Sequence, residues 1–269
     1  MSPRLPEPGR PLVTNDTVIV TDAGDMGVHI VRPRDGNPSP VVLFLMDAPG
    51  KRPLLHRMAA VIASHGYHVM LPNLYYRDTD AFELDFSSRE SFERMSELMF
   101  RVSNRNVVAD ARALLAHAAA DPAADASSVG TVGYCMSGPF SIHLAATLPD
   151  VVRCAASFYG VRLVVDTDDS PHRGLPRITG EIYVAAAEFD DYVPLAMIDE
   201  FDAARAAAGT SGRVEVYYGT HHGFAFDDRP AYDPAADARH WHELLGLFAR
   251  TLGGTPPADT HMATDADLG

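Results

Sequence analysis

Val129-Gly130-Thr131-Val132-Gly133-Tyr134-Cys135-Met136-Ser137-Gly138-Pro139-Phe140 is the stretch on which the fold turns. Val129–Tyr134 has the short apolar character of a strand, and Gly138–Leu148 reads as a helix that follows almost at once. A chain passing from strand to helix this abruptly holds the residue at the apex in a strained conformation, with its side chain exposed above the sheet. The residues two before and two after the apex are forced together and must be small. Here they are Gly133 and Ser137, and the apex is Cys135. A helix N-terminus aimed at a sulfur favours the thiolate. The backbone N–H of Met136 then faces the place where an oxyanion would develop. A buried cysteine in an ordinary strand-to-helix turn fits the same residues, so the rest of the chain has to decide.

Outward from this turn, strands and helices alternate. Val41–Met46 is a continuous apolar run, as expected of a strand covered on both faces. Leu55, Met58, Ala59 and Ile62 recur at helical spacing, Gly66 stops that helix, and Tyr67–Leu71 is strand again. Phe92, Met95, Met99 and Val102 form a helical face that continues through Val108, Ala111 and Leu115. Further strands fall at Val152–Phe158, Ile182–Ala187 and Val214–Tyr218, with helices at Leu195–Ala208 and Ala235–Leu252. Near the start, Thr17–Thr21 and Met26–Val31 flank a hairpin turn at Asp22–Asp25. The pattern predicts an α/β fold with a mostly parallel central sheet and helices on both faces. No internal repeat or composition break marks a second domain. The expectation is an N-terminal arm over residues 1–14, one domain over 15–253 and a flexible tail over 254–269.

The 269 residues are 46% hydrophobic and 22% charged, enough to bury a core without staples. The formal net charge of −14 argues against nucleic acid and against an anionic membrane surface as partners. Two cysteines, Cys135 and Cys154, exclude a disulfide scaffold and a four-cysteine zinc site. Cys154 falls in an interior strand and reads as inert core. Met1-Ser-Pro-Arg-Leu-Pro leads into no secretory apolar region, and Val41–Met46 is too short to span a bilayer. A cytoplasmic protein is expected. No cofactor or metal is expected either. His240-Trp241-His242 lies in a predicted helix, where positions two apart face different ways. Asp166-Thr167-Asp168-Asp169 lacks the glycine and distal glutamate of a calcium loop. Gly50-Lys51 lacks the spacing of a phosphate loop.

A nucleophile needs a base, and the base needs an orienting group. After Cys135, the strand Ile182–Ala187 runs into Glu188-Phe189-Asp190-Asp191-Tyr192-Val193-Pro194. The strand Val214–Tyr218 runs into Gly219-Thr220-His221-His222-Gly223-Phe224. A carboxylate and a histidine each stand just past a strand's C-terminal end, where ligands and catalytic groups gather in parallel sheets. Cysteine, acid and histidine in this order are harder to obtain by chance than the turn alone.

With these segments the chain resembles the dienelactone hydrolase family, cysteine enzymes of the α/β-hydrolase fold, from about Val41 to Leu252. The likeness also rests on Asp47-Ala48-Pro49-Gly50, His65-Gly66-Tyr67, Pro72-Asn73-Leu74-Tyr75 and Ser157-Phe158-Tyr159-Gly160. The resemblance implies Cys135 as nucleophile, Asp190 rather than Asp191 as acid, and His222 rather than His221 as base. It places the second oxyanion donor at the N–H of Ala48. The family commonly carries a glutamate, thought to pair with the resting thiol, where this chain has Asp47. A shorter acid there is either a modulator of the nucleophile or a cap for the following helix. Phe226 stands four residues after the histidine, where dienelactone enzymes use an arginine to hold the substrate carboxylate. Arg89, Arg94 and Arg229 have no place that the sequence can assign. The implied function is cofactor-independent hydrolysis of a carboxylic ester or lactone through an acyl-thioester. Cysteine favours good leaving groups such as enol lactones over amides. The alternatives are a broad esterase or thioesterase without dienelactone activity, and a catalytically silent ligand-binding protein of the same fold.

Overall fold

The apolar run at Val41–Met46 is sealed from solvent, with no residue more than 1% exposed. Its first five residues belong to β3 (Ser39–Leu45), which lies between β4 (His68–Pro72) and β5 (Ala124–Tyr134) and is parallel to both. A strand paired on both edges and covered on both faces has no position for a polar side chain. The computed structural model of the chain describes residues 10–255. Around β3 it arranges eight strands in the order β1-β2-β4-β3-β5-β6-β7-β8. The others are β1 (Leu12–Thr21), β2 (Gly24–Pro33), β6 (Val152–Phe158), β7 (Glu181–Phe189) and β8 (Gly212–His221). β2 runs antiparallel to β1 and β4; every pairing from β4 across to β8 is parallel.

Two adjacent residues of β5 show how the faces are covered. A Cβ on Gly130 would lie 2.9 Å from Leu252 and 3.0 Å from Phe248, both in α7 (Pro234–Leu252). The Thr131 hydroxyl instead lies 2.8 Å from the Ser141 hydroxyl in α4 (Gly138–Thr147). Neighbouring strand residues point to opposite faces, so α7 and α4 cover opposite sides. α1 (Pro53–Ser64) joins the α7 side: Tyr67, just beyond it, packs edge-on against Phe248 at 5.5 Å. α3 (Asn104–Ala119) packs on α4, and α6 (Leu195–Ala208) lies against β7 and β8. This is the mostly parallel α/β arrangement that the alternating pattern implied, in the α/β-hydrolase form that the family resemblance implied.

The structure departs from the sequence reading in three places. β1 begins at Leu12, inside the stretch expected to be an arm, because its full length pairs with β2. Residues 1–9, and most of the expected tail, lie outside the described residues. The continuous helical face from Phe92 to Leu115 is broken into α2 (Arg89–Arg101) and α3. Val102 turns extended, and the Ser103 hydroxyl accepts the N–H of Asn106 and so starts a new helix. Between Ala119 and Val129 the chain enters β5 earlier than its apolar residues suggest, at Ala124. α2 buries only Leu98 and stands off the sheet beside the C-terminal strand ends. A short helix, α5 (Pro171–Gly174), lies between β6 and β7. Among the described residues no helix is long and apolar enough to cross a membrane.

The parallel strands deliver their following residues to one edge of the sheet. Asp47 and Ala48 follow β3, Cys135 follows β5, Tyr159 to Arg162 follow β6, Asp190 follows β7 and His222 follows β8. The β7–β8 pairing, which brings the last two side by side, depends on Gly212. This residue has φ +119°, and a Cβ there would lie 1.8 Å from the carbonyl oxygen of Ile182. Gly212→Ala is expected to lower stability by about 1–3 kcal/mol. A urea melt would read this as a lower midpoint with an unchanged slope.

Candidate active site

Cys135 is held at φ +52°, in the left-handed region that non-glycine residues rarely occupy. The turn is as tight as its small residues suggest. A Cβ on Gly133 would sit 2.1 Å from the Ser137 carbonyl oxygen, and one on Gly138 would sit 2.4 Å from Ser157 Oγ and 2.5 Å from Gly160 Cα. The Ser137 hydroxyl accepts the N–H of Tyr134 at 2.9 Å and reaches the Leu45 carbonyl at 3.0 Å, tying the turn to the end of β3. From the other side, the N–H of Val161 donates to the Cys135 carbonyl at 3.1 Å. Cys135 is partly exposed, whereas Cys154 is buried and its thiol is pushed up to about 12 by burial.

His222 Nδ1 lies 2.7 Å from Asp190 Oδ2. The other oxygen, Asp190 Oδ1, accepts the N–H groups of Tyr192 at 2.9 Å and Val193 at 3.1 Å. The Asp190 side chain is fully shielded from solvent. A shielded acceptor at Nδ1 leaves the proton on that nitrogen and leaves Nε2 as the free acceptor on the Cys135 side of the ring. Nε2 is buried, without a hydrogen-bond partner of good geometry, and faces the Cys135 thiol. Burial pushes the imidazole down, but the contacts with Asp190 and Cys135 outweigh it, and His222 is raised to about 9. Glu188 is engaged elsewhere, accepting the Gly219 N–H at 2.7 Å, and Asp191 is exposed. His221 packs on Phe189. The structure therefore brings Asp190, His222 and Cys135 together and leaves their neighbours out.

Asp47 does not pair with the thiol. It is 1% exposed, and both oxygens belong to arginines: Arg52 Nη1 at 2.5 Å and Arg229 Nη2 at 2.9 Å. Arg52 also donates through Nε to Asp228 at 2.7 Å. Burial lowers the Arg52 guanidinium, but Asp47 and Asp228 more than restore its charge and hold it above its ordinary value. The acid expected to modulate the nucleophile or cap a helix instead lines the cavity as the buried end of an ion network that runs through Arg52 and Arg229 to the exposed Asp228. Arg52 was not legible as part of it, because its partners lie 5 and 176 residues away and no local pattern marks it.

Cys135 and His222 open into a cavity of about 420 Å³. Ala48 and Phe226 line it, and Phe86, Met95 and Met99 form an apolar wall that includes α2. Two arginines also reach it, Arg162 and Arg229. Arg89 and Arg94 do not line it; they pair with Glu93 and Glu97 on α2. The His240 ring belongs to the core, with Nε2 2.7 Å from the Tyr134 hydroxyl. Among the described residues no three His, Cys, Asp or Glu side chains are grouped to hold a metal ion.

An α/β-hydrolase sheet carrying a cysteine, a histidine and a buried carboxylate at its strand ends defines a class of hydrolases. The profile of the dienelactone hydrolase family matches residues 26–252, and the chain belongs to that family. A provisionally named carboxymethylenebutenolidase of Synechocystis sp. is 27% identical over 216 residues, spanning 79% of this chain and 87% of that one. The carboxymethylenebutenolidase of Pseudomonas sp. strain P51 is 30% identical over 138 residues, 51% of this chain and 56% of that one. A crystal structure of a provisionally named dienelactone hydrolase from Klebsiella pneumoniae superposes with a TM-score of 0.80 at 22% identity. It covers 90% of this chain and all of that one.

Two outcomes follow from this geometry. Asp47→Asn takes a buried counter-charge from Arg52, which is buried, and from Arg229, which is partly exposed, leaving both with Asp228 alone, and is expected to cost about 3–5 kcal/mol, measured by chemical denaturation. His222 lies above its unfolded value of 6.5, so the stability it contributes is full below that pH and is lost as pH rises through about 9. The stability difference between the wild type and His222→Gln should shrink across this window when followed from roughly pH 6 to pH 10.

Proposed function

We propose that the protein hydrolyses a carboxylic ester or lactone, with Cys135 as nucleophile, His222 as base and Asp190 as its orienting acid. One observation carries this reading. Cys135 sits at a strained apex facing an imidazole nitrogen that has no other partner, while the opposite nitrogen is held by a buried carboxylate. An imidazole held through Nδ1 by a carboxylate, with its other nitrogen toward the thiol, is placed to take the thiol proton. The sulfur attacks the carbonyl carbon, and the carbonyl electron pair moves onto oxygen. The N–H groups of Met136 and Ala48 receive that oxyanion; losing one such donor typically costs about 10²–10³ in rate. The tetrahedral adduct collapses to an acyl-thioester and expels the alkoxide or enolate, which takes the proton from His222. Water then attacks the thioester with its proton passing to His222, and the second collapse releases the carboxylic acid and returns the thiol.

Sulfur chooses the substrate class. In the first adduct a thiolate leaves more easily than an amine, so amides revert while esters and enol lactones go forward. The relatives named carboxymethylenebutenolidase support a lactone, and the apolar wall of the cavity accommodates a simple activated ester equally well.

Steady-state hydrolysis of p-nitrophenyl acetate tests the assignment. Cys135→Ala is expected to lower kcat by 10³-fold or more, and Asp190→Asn by a factor on the order of 10⁴ through the wrong histidine tautomer. Iodoacetamide should block activity while modifying Cys135 and sparing Cys154. Acid-quenched reactions should leave an acetyl group on the Cys135 peptide. Unchanged turnover in Cys135→Ala would remove the proposal, and the ratio of rates on a dienelactone and on the acetate separates lactone from broad ester specificity.

A further inference from the structure

The two N–H groups assigned to the oxyanion come from different parts of the chain. Ala48 follows β3, and Met136 follows Cys135 at the end of β5. Among the described residues neither N–H makes a hydrogen bond within the protein. One side chain reaches both residues. The Tyr75 hydroxyl, from the segment after β4, donates to the Ala48 carbonyl at 2.8 Å and lies 3.4 Å from Met136 Sδ.

Tyr75 is itself held in place, and it is 1% exposed. The Asn73 side chain accepts the Tyr75 N–H at 3.0 Å and donates to the Thr79 and Asp80 carbonyls at 2.9 and 3.0 Å. The Tyr75 ring meets Phe82 edge-on at 5.9 Å. The Phe82 carbonyl runs against Gly50, where a Cβ would lie 2.0 Å from its oxygen, and the Leu84 N–H donates to the Pro49 carbonyl at 3.0 Å. Burial pushes the phenol up, so it stays protonated and remains a donor.

The peptide between Asp47 and Ala48 carries one of the two N–H groups. Its carbonyl accepts the Gly50 N–H at 3.1 Å. This peptide is trans, so its own N–H points the opposite way, out of that turn. The Asp47 side chain is fixed on one side of the peptide by Arg52 and Arg229, and the Ala48 carbonyl is fixed on the other by Tyr75. A phenylalanine at position 75 would fill the same space against Phe82. The hydroxyl is the part of the side chain that packing does not explain, and it stands against the residue that supplies the second N–H.

We infer that Tyr75 is a positioning residue for hydrolysis: its hydroxyl sets the Ala48 and Met136 N–H groups at one spacing, so that both point at the oxygen of the tetrahedral adduct. The inference rests on the hydrolase reading above and adds to it the group that holds the oxyanion site together. Donors fixed before the reaction need no rearrangement as charge develops, and their contribution appears in the transition state and not in substrate binding.

The test compares Tyr75→Phe with Tyr76→Phe. The Tyr76 hydroxyl lies within hydrogen-bond reach of Thr21 at 2.9 Å and donates to Asp110 at 2.8 Å, and neither partner lines the catalytic cavity. On p-nitrophenyl acetate, Tyr75→Phe should lower kcat about 10- to 100-fold and change KM by less than about twofold. Tyr76→Phe should keep the wild-type kcat. Each variant loses hydrogen bonding and should melt about 2–4 °C lower.

Two further readouts separate an oxyanion site from a structural loss. Iodoacetamide alkylates Cys135 by forming an S–C bond as iodide leaves a saturated carbon, and no oxyanion arises. Its rate in Tyr75→Phe should stay within about twofold of the wild type. Butanal takes the thiol across its C=O bond, sulfur to carbon and proton to oxygen, and places that oxygen at the two N–H groups. Its inhibition constant should rise by the factor by which kcat/KM falls. Met136→Leu keeps the N–H and removes the sulfur, and should lower kcat about two- to fivefold.

A wild-type kcat in Tyr75→Phe overturns the inference. So does an alkylation rate that falls as far as turnover, which marks a disturbed thiol, or a loss in Tyr76→Phe as large as that in Tyr75→Phe, which marks loosened packing. If Tyr75→Phe does not purify as a folded protein, Met136→Leu decides: a lower kcat at unchanged alkylation supports the inference, and a wild-type kcat overturns it. If the wild type cleaves neither the acetate nor a lactone, the hydrolase reading fails by itself. Calorimetric titration with butanal then decides the inference: weaker binding to Tyr75→Phe than to the wild type supports it, and equal binding overturns it.

Discussion

A left-handed backbone at a cysteine is unfavourable by about 1–3 kcal/mol, and everything else in this site is arranged around keeping it. Gly133 lets the chain fold back on the Ser137 carbonyl, and no larger residue could. Ser137 bonds both the strand that enters the turn and the end of β3. Gly138 and Gly160 pass so close that neither tolerates a side chain, which draws the segment after β6 against the elbow. The Val161 N–H then closes the ring on the Cys135 carbonyl. Cys135 is held partly exposed because its surroundings overdetermine a conformation it would not choose.

Around this strained point the charges are arranged in two systems with different tasks. Asp190 and His222 form a pair in which, among the described residues, Nε2 has no partner but the thiol it faces. Asp47, Arg52, Arg229 and Asp228 form a network with two negative and two positive members, running from the buried Asp47 and Arg52 out to the exposed Asp228. Its charges are spent on one another. Phe226 lies over this network, with the Arg52 guanidinium 5.1 Å and the Arg229 guanidinium 5.7 Å from its ring centre. An aromatic ring thus stands where the family resemblance led one to look for an arginine, and the arginines approach it from other parts of the chain. A cation–π contact at such a ring adds roughly 0.5–2 kcal/mol and keeps the pocket floor apolar.

The strands, their mostly parallel character and the strand-to-helix turn were legible in the sequence because each has a local cause. A continuous apolar run such as Val41–Met46 can only be covered on both faces, and Gly133 and Ser137 flank Cys135 at the spacing that sterics demand. Asp190 and His222 were legible as candidates for a similar reason, each lying just past the end of an expected strand. Choosing them over Asp191 and His221 needed the family resemblance, since adjacent residues carry the same chemistry and differ only in direction. The break between α2 and α3 escaped the reading because a serine cap competes with a helical pattern that runs straight through it.

The chain by itself determined the sheet, the elbow and the set of groups able to act on a carbonyl, because strand alternation, turn sterics and residue chemistry are properties of near neighbours. Only the tertiary structure decided which charges are already paired. Asp47 finds Arg229 across 182 residues and Arg52 finds Asp228 across 176. Nothing local distinguishes those arginines from Arg89, which is 92% exposed on α2, or from Arg162, which among the described residues has no ion-pair partner at the wall of the cavity. Pairing depends on distance in space, and at such separations along the chain that distance is set by the packing of the whole sheet.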